Sequence, residues 1–66
     1  MGKAKETYRD FDITIERNGG ENTYFICRES DGFVIYDSCE TTNDTPETMM
    51  GYMKEKVDDY YENQED

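Results

Sequence analysis

Tyr8-Arg9-Asp10-Phe11-Asp12-Ile13-Thr14-Ile15-Glu16-Arg17 runs directly into Asn18-Gly19-Gly20-Glu21, and this stretch decides the fold. Phe11, Ile13 and Ile15 fall on one side and Asp10, Asp12, Thr14 and Glu16 on the other, the period of two of a strand with one buried face. Asn-Gly or Gly-Gly then supplies the positive φ angles of a two-residue hairpin turn. Thr23-Tyr24-Phe25-Ile26-Cys27-Arg28 is the returning strand. Glu29-Ser30-Asp31-Gly32 reads as a second tight turn, and Phe33-Val34-Ile35-Tyr36 as a third strand. The first half of the chain thus predicts a three-stranded antiparallel β-meander.

Downstream, Asp37 to Asp44 reads as a polar connection without periodicity. Thr45-Pro46-Glu47 then announces a helix. Thr45 suits the N-cap, Pro46 the first helical position, where a missing N–H costs nothing, and Glu47 the positive end of the helix dipole. Met49, Met50, Met53, Val57, Tyr60 and Tyr61 recur at three and four residues, an apolar stripe of helical period that predicts a helix from Pro46 to about Tyr61. Gly51 lies inside it at a cost of about 1 kcal/mol relative to Ala. Its plain reading is close approach to the sheet, and a contact with a partner is the second. The expected architecture is one α+β domain over residues 1–66, β-β-β-α with the C-terminal helix packed on one sheet face, and with residues 1–6 and 62–66 frayed. The element order is similar to that of a double-stranded-RNA-binding domain lacking its first helix, but the basic residues such a domain needs are missing.

The size and composition bound the rest. The chain has 66 residues, 17 Asp and Glu against 7 Lys and Arg, and a formal charge of -10; its pI is about 4.2 and its mean hydropathy -1.13. No run approaches the roughly 20 apolar residues of a membrane helix. The polar start, Met1-Gly2-Lys3-Ala4-Lys5-Glu6, has no apolar stretch like that of a signal peptide, so a cytoplasmic location without membrane partners is expected. Direct nucleic-acid binding is not expected, because a phosphate backbone repels such a charge. Disorder is the other reading of high charge, but aromatic residues make up 14% of the chain and cluster periodically, which favours a fold.

Two surface features point towards function. An even hairpin loop places Ile13 and Ile15 on one face with Tyr24 and Ile26. If Ser30-Asp31 is the second loop, Ile26 stands opposite Ile35. The helix-covered face is then Phe11, Ile13, Ile15, Tyr24, Ile26, Phe33 and Ile35, and Phe25, Cys27, Val34 and Tyr36 lie on the other face beside Asp12, Thr14 and Glu16. One helix covers one face, so this second set is the expected oligomer or partner face. The other feature is Asp58, Asp59, Glu62, Glu65 and Asp66 crowding the C-terminal end of the helix, where the dipole favours cations. Lys54 and Lys56 are positioned to compensate Asp58 and Asp59. Tyr52, Asp58, Asp59, Tyr60 and Glu62, carboxylates interleaved with aromatic anchors, form the expected partner-binding set, suited to a groove rich in Arg and Lys.

Catalytic chemistry is poorly represented. The sequence has no His, which removes the commonest general base and metal ligand. Ser30 and Ser38 have no evident base, and Gly19-Gly20 lacks the spacing and the Lys of a phosphate loop. Asp37, Glu40, Asn43 and Asp44 depart from the spacing of a calcium loop and read as a solvated connection. Cys27 and Cys39 read as free thiols in a cytosolic setting. No enzyme activity, cofactor or metal is expected. The reading is a small acidic non-catalytic module that binds another protein with a basic surface, in its most specific form an inhibitor occupying a nucleic-acid-binding site by imitating phosphate charge. In size, charge and lack of catalytic chemistry the chain resembles the small phage-encoded inhibitors of bacterial defence, anti-CRISPR and anti-restriction proteins among them. The alternative is a small homo-oligomeric or accessory subunit, such as a homodimer, whose acidity serves solubility.

Overall fold

The computed structural model describes residues 2–64 of the chain. Four strands, β1 (Gly2–Tyr8), β2 (Phe11–Asn18), β3 (Glu21–Arg28) and β4 (Val34–Thr41), form an antiparallel sheet in the order β1-β2-β3-β4, followed by one helix, α1 (Pro46–Asn63). The class is α+β as expected, but with four strands rather than three. Residues 2–6, expected to fray, are placed in β1, which pairs with β2 from Gly2↔Arg17 to Tyr8↔Phe11. Glu62 and Asn63 complete α1 and Gln64 caps it. Met1, Glu65 and Asp66, also expected to fray, lie outside the described residues.

Tyr8 therefore ends β1 instead of opening β2. The turn between them is Arg9-Asp10, both at positive φ (49° and 75°). Left-handed backbone is unfavourable for residues with a Cβ, and tertiary contacts hold the turn in place. The Arg9 guanidinium donates to the Asp58 carboxylate at 2.7 Å, and the Tyr61 hydroxyl donates to the Arg9 carbonyl at 2.6 Å. The next turn is as expected, with Gly19 and Gly20 at φ 54° and 85°. Ile13 stands opposite Ile26 and Ile15 opposite Tyr24.

The third connection departs from the expected two-residue loop. The Arg28 N–H donates to the Phe33 carbonyl at 2.7 Å, and the Asp31 carboxylate accepts from the Phe33 N–H and from the Arg28 guanidinium. Cys27 then pairs with Val34 but Ile26 with Tyr36, so one residue, Ile35, is inserted as a β-bulge. Beyond it β4 continues through Asp37-Ser38-Cys39-Glu40-Thr41, which the sequence reading gives to a loop.

Phe11, Ile13, Ile15, Tyr24 and Ile26 are fully buried beneath Met49, Met50, Met53 and Val57 of α1. Thr45 caps the helix, its hydroxyl accepting from the Thr48 N–H at 3.2 Å. At this end the buried Asn22 amide donates to the Asp44 carbonyl at 3.0 Å and to the Tyr24 hydroxyl at 3.2 Å. Arg17 donates to the Asn22 side-chain oxygen at 3.1 Å and to the same Asp44 carbonyl at 2.8 Å. These bonds tie the 42–45 connection to the sheet and fix where α1 begins.

Candidate functional site

The helix that closes the core also carries the charge. In α1, residues buried against the sheet alternate with outward Tyr52, Glu55, Asp59 and Glu62, spaced by three and four residues. Tyr52 is 53% exposed. The last turn contains no basic residue. The lysines expected to compensate face elsewhere: Lys54 pairs with Glu6 on β1, and the Lys56 ammonium lies 4.4 Å from the centre of the Tyr36 ring. Glu55, Asp59 and Glu62 have no ion pair among the described residues.

The expected partner-binding set therefore divides. Tyr52, Asp59 and Glu62 face outwards. Asp58 turns inwards to Arg9 and accepts from the Tyr8 hydroxyl at 3.1 Å. The Arg9 bond holds the Asp58 carboxyl below its ordinary range, and the bond to Asp58 raises the Tyr8 phenol. Tyr60 also packs inwards, edge-on to Phe11 at 5.4 Å between ring centres and beside Phe33 at 6.2 Å. Glu55, absent from the expected set, completes the ridge; its place three residues after Tyr52 and four before Asp59 is the signal in the sequence.

The second set divides at the bulge. Phe25, Cys27 and Val34 share the open face with Asp12, Thr14 and Glu16, and Phe25 and Val34 are 38% and 42% exposed. Tyr36 does not join them. The inserted Ile35 shifts the alternation, so Tyr36 pairs with Ile26 on the helix side, half-buried near Tyr24. Phe33, expected beneath the helix, is 48% exposed at the sheet's end. β1 makes the rest of the open face polar, with Lys3 paired to Glu16 and Thr7 donating to Asp12.

Between β4 and the C-terminal half of α1 lies a groove of about 290 Å³ lined by Ile35, Tyr36, Lys56, Asp59, Tyr60 and Asn63. Of the expected site residues, Tyr36, Asp59 and Tyr60 line it. A larger groove of about 460 Å³ follows the outer edge of β1, with Gly51 in its lining. Gly51 is exposed, and a Cβ there would meet nothing within 4 Å. Close approach to the sheet does not explain this glycine, and nothing else in the structure does.

No group of three or more His, Cys, Asp or Glu among the described residues is arranged to hold a metal. Asp37 and Glu40 point to opposite faces because they sit in an alternating strand. Both cysteines are free. Cys39 stands opposite Thr23, four residues along β3 from Cys27, so their Cα atoms are ~13 Å apart, beyond the reach of a disulfide. No described helix is long and apolar enough to cross a membrane. No family model, curated protein or solved structure matches the chain.

Proposed function

We propose that the protein is a non-catalytic binding module whose outward helix ridge docks on a basic surface of another protein, and specifically that it inhibits by occupying a nucleic-acid-binding site. The observation that carries this reading is the uncompensated row Glu55, Asp59 and Glu62 with Tyr52 at its head, while Lys54 and Lys56 are engaged with Glu6 and Tyr36. Carboxylates spaced along one helix face offer repeated negative charge, and an exposed tyrosine adds an anchor that loses little rotamer entropy on binding. Electrostatic docking of this kind raises association rates and weakens with salt. The resemblance in size and charge to phage-encoded inhibitors of bacterial defence supports the same reading.

The test is retention of a basic target from cell lysate, elution by a DNA duplex, and repetition with Glu55→Gln, Asp59→Asn and Glu62→Gln combined. These residues are exposed and unpaired, so the variant should fold normally and lose the DNA-competable target. Undiminished retention by the triple variant rules the ridge out.

A second reading has its own observation, the exposed Phe25 and Val34 on the open sheet face. Self-association through that face would make the protein a homo-oligomeric accessory subunit. Two copies carry a formal charge of 2 × -10 = -20, so salt should strengthen the dimer by screening. Light scattering across ionic strength distinguishes the readings, since a monomer throughout eliminates this one.

A further inference from the structure

The two outer strands of the sheet differ in how they are guarded. β1 carries Lys3 and Lys5, and Lys54 of α1 stands beside it, the kind of cationic edge that natural sheets use against unwanted pairing. β4 has no Lys, Arg or Pro over its eight residues and includes Val34, Ile35 and Tyr36. Its outer edge pairs with no strand among the described residues. On the helix side this edge opens into the groove floored by Ile35, Tyr36 and Tyr60. The groove lining carries one carboxylate, Asp59, and one ammonium, Lys56, which lies over the Tyr36 ring, while Asp37 stands on the open side of β4.

We propose that β4 and the C-terminal half of α1 bind an extended polypeptide segment of a partner, added as a fifth strand, in which apolar residues alternate with Lys or Arg. Alternate side chains of an added strand point to opposite faces. One set would enter the groove over Ile35, Tyr36 and Tyr60, which selects apolar residues. The other would lie beside Asp37 on the open side, which selects cations. Main-chain bonds to the β4 edge supply affinity without sequence demand, and the two rows of pockets supply specificity. A second copy joined through its own β4 is disfavoured by charge, because each copy carries a formal charge of -10. The inference rests on the basic-partner reading above and adds the form in which that partner is presented.

The probe is a capped peptide alternating Lys and Val, titrated into the isotope-labelled protein and followed by amide chemical shifts and hydrogen exchange. Two control peptides replace Val by Ser or carry N-methyl groups at alternate residues. Expected are shifts and slowed exchange in residues 35–41, with affinity falling by about tenfold or more for either control and for Asp37→Lys combined with Glu40→Lys. The proposal is overturned if both control peptides bind as well as the parent, or if shifts are confined to Glu55, Asp59 and Glu62; that second pattern leaves the acidic ridge standing. Absence of response in both regions removes the added strand and counts against the ridge as well. Self-association through β4 without peptide would instead identify a second copy as the occupant and overturn the proposal.

Discussion

The inner strands β2 and β3 and the outer strands β1 and β4 bury their side chains to different depths. Helix α1 lies across β1 and β2. Phe11, Ile13 and Ile15 of β2 are fully buried, whereas Ile35, Tyr36 and Ser38 of β4 are half-buried. The cause is width. A helix with its side chains is about 10–12 Å across, and strands lie about 4.8 Å apart, so one helix covers two strands well and a third in part. Tyr24 and Ile26 of β3 complete the core, and β4 is left at its margin. Stability is therefore concentrated in the two inner strands, and accessible surface lies at the two outer ones.

The largest test of this contrast sets Phe11→Ala against Phe25→Ala. Removing the Phe11 ring, which touches both Tyr60 and Tyr61, should cost about 3–5 kcal/mol. A domain of this length has roughly 3–10 kcal/mol in total, so the variant should be largely unfolded, while Phe25→Ala should cost under about 1 kcal/mol. Urea titration followed by circular dichroism measures both, and equal losses would erase the distinction between the buried face of the inner strands and their open face.

Next in size is Asn22→Ala, which leaves the Asp44 carbonyl with one donor fewer and deprives Arg17 of an acceptor; a loss of about 1–3 kcal/mol is expected in the same titration. A smaller change of opposite sign sharpens the comparison. Gly51→Ala should stabilise by up to about 1 kcal/mol, since helix propensity rises and the added Cβ meets nothing. A lower melting temperature would reveal a backbone constraint at that position.

The smallest effect is in pH. The Arg28 guanidinium, helped by the Phe33 N–H, lowers the Asp31 carboxyl to about 2. Its folded value lies below its unfolded one, so this contribution is present above the unfolded value near 3.9 and disappears as pH falls towards about 2. The group is exposed and solvent-screened, so the change is small. Melting temperatures of the parent and Asp31→Asn should converge over that window; a constant gap would show that the Arg28 pair does not tie the turn's stability to pH.

The helix and the first hairpin were legible because their signals are local. Thr45-Pro46-Glu47 marks a helix start, Gly19-Gly20 permits a turn that few other residues adopt, and the alternation of Phe11, Ile13 and Ile15 fixes a face. β1 was not legible, since Lys3-Ala4-Lys5-Glu6-Thr7 is mostly polar and Arg9-Asp10 has no Gly or Asn to mark a turn, Asp10 tolerating left-handed backbone but Arg9 not. Its turn is met by a tertiary bond, Arg9 to Asp58, between positions 49 residues apart. The bulge at Ile35 was hidden for a similar reason: an apolar run in which every residue is hydrophobic carries no alternation from which to read a register. Of the surface, Tyr52, Asp59 and Glu62 followed from helical spacing. The inward position of Tyr60 was legible in the apolar stripe, but the inward turn of Asp58 was not, because it requires knowing that β1 and its turn exist.

The hydrogen bonds converging on the Asp44 carbonyl from Arg17 and Asn22 have a consequence for recognition. They tie the connection between β4 and α1 to β2 and β3 through the half-buried Arg17 and the buried Asn22, leaving that junction little freedom to act as a hinge. A ligand at this end of the molecule would meet a shape already set before the encounter, and would spend little of its binding energy on ordering the connection.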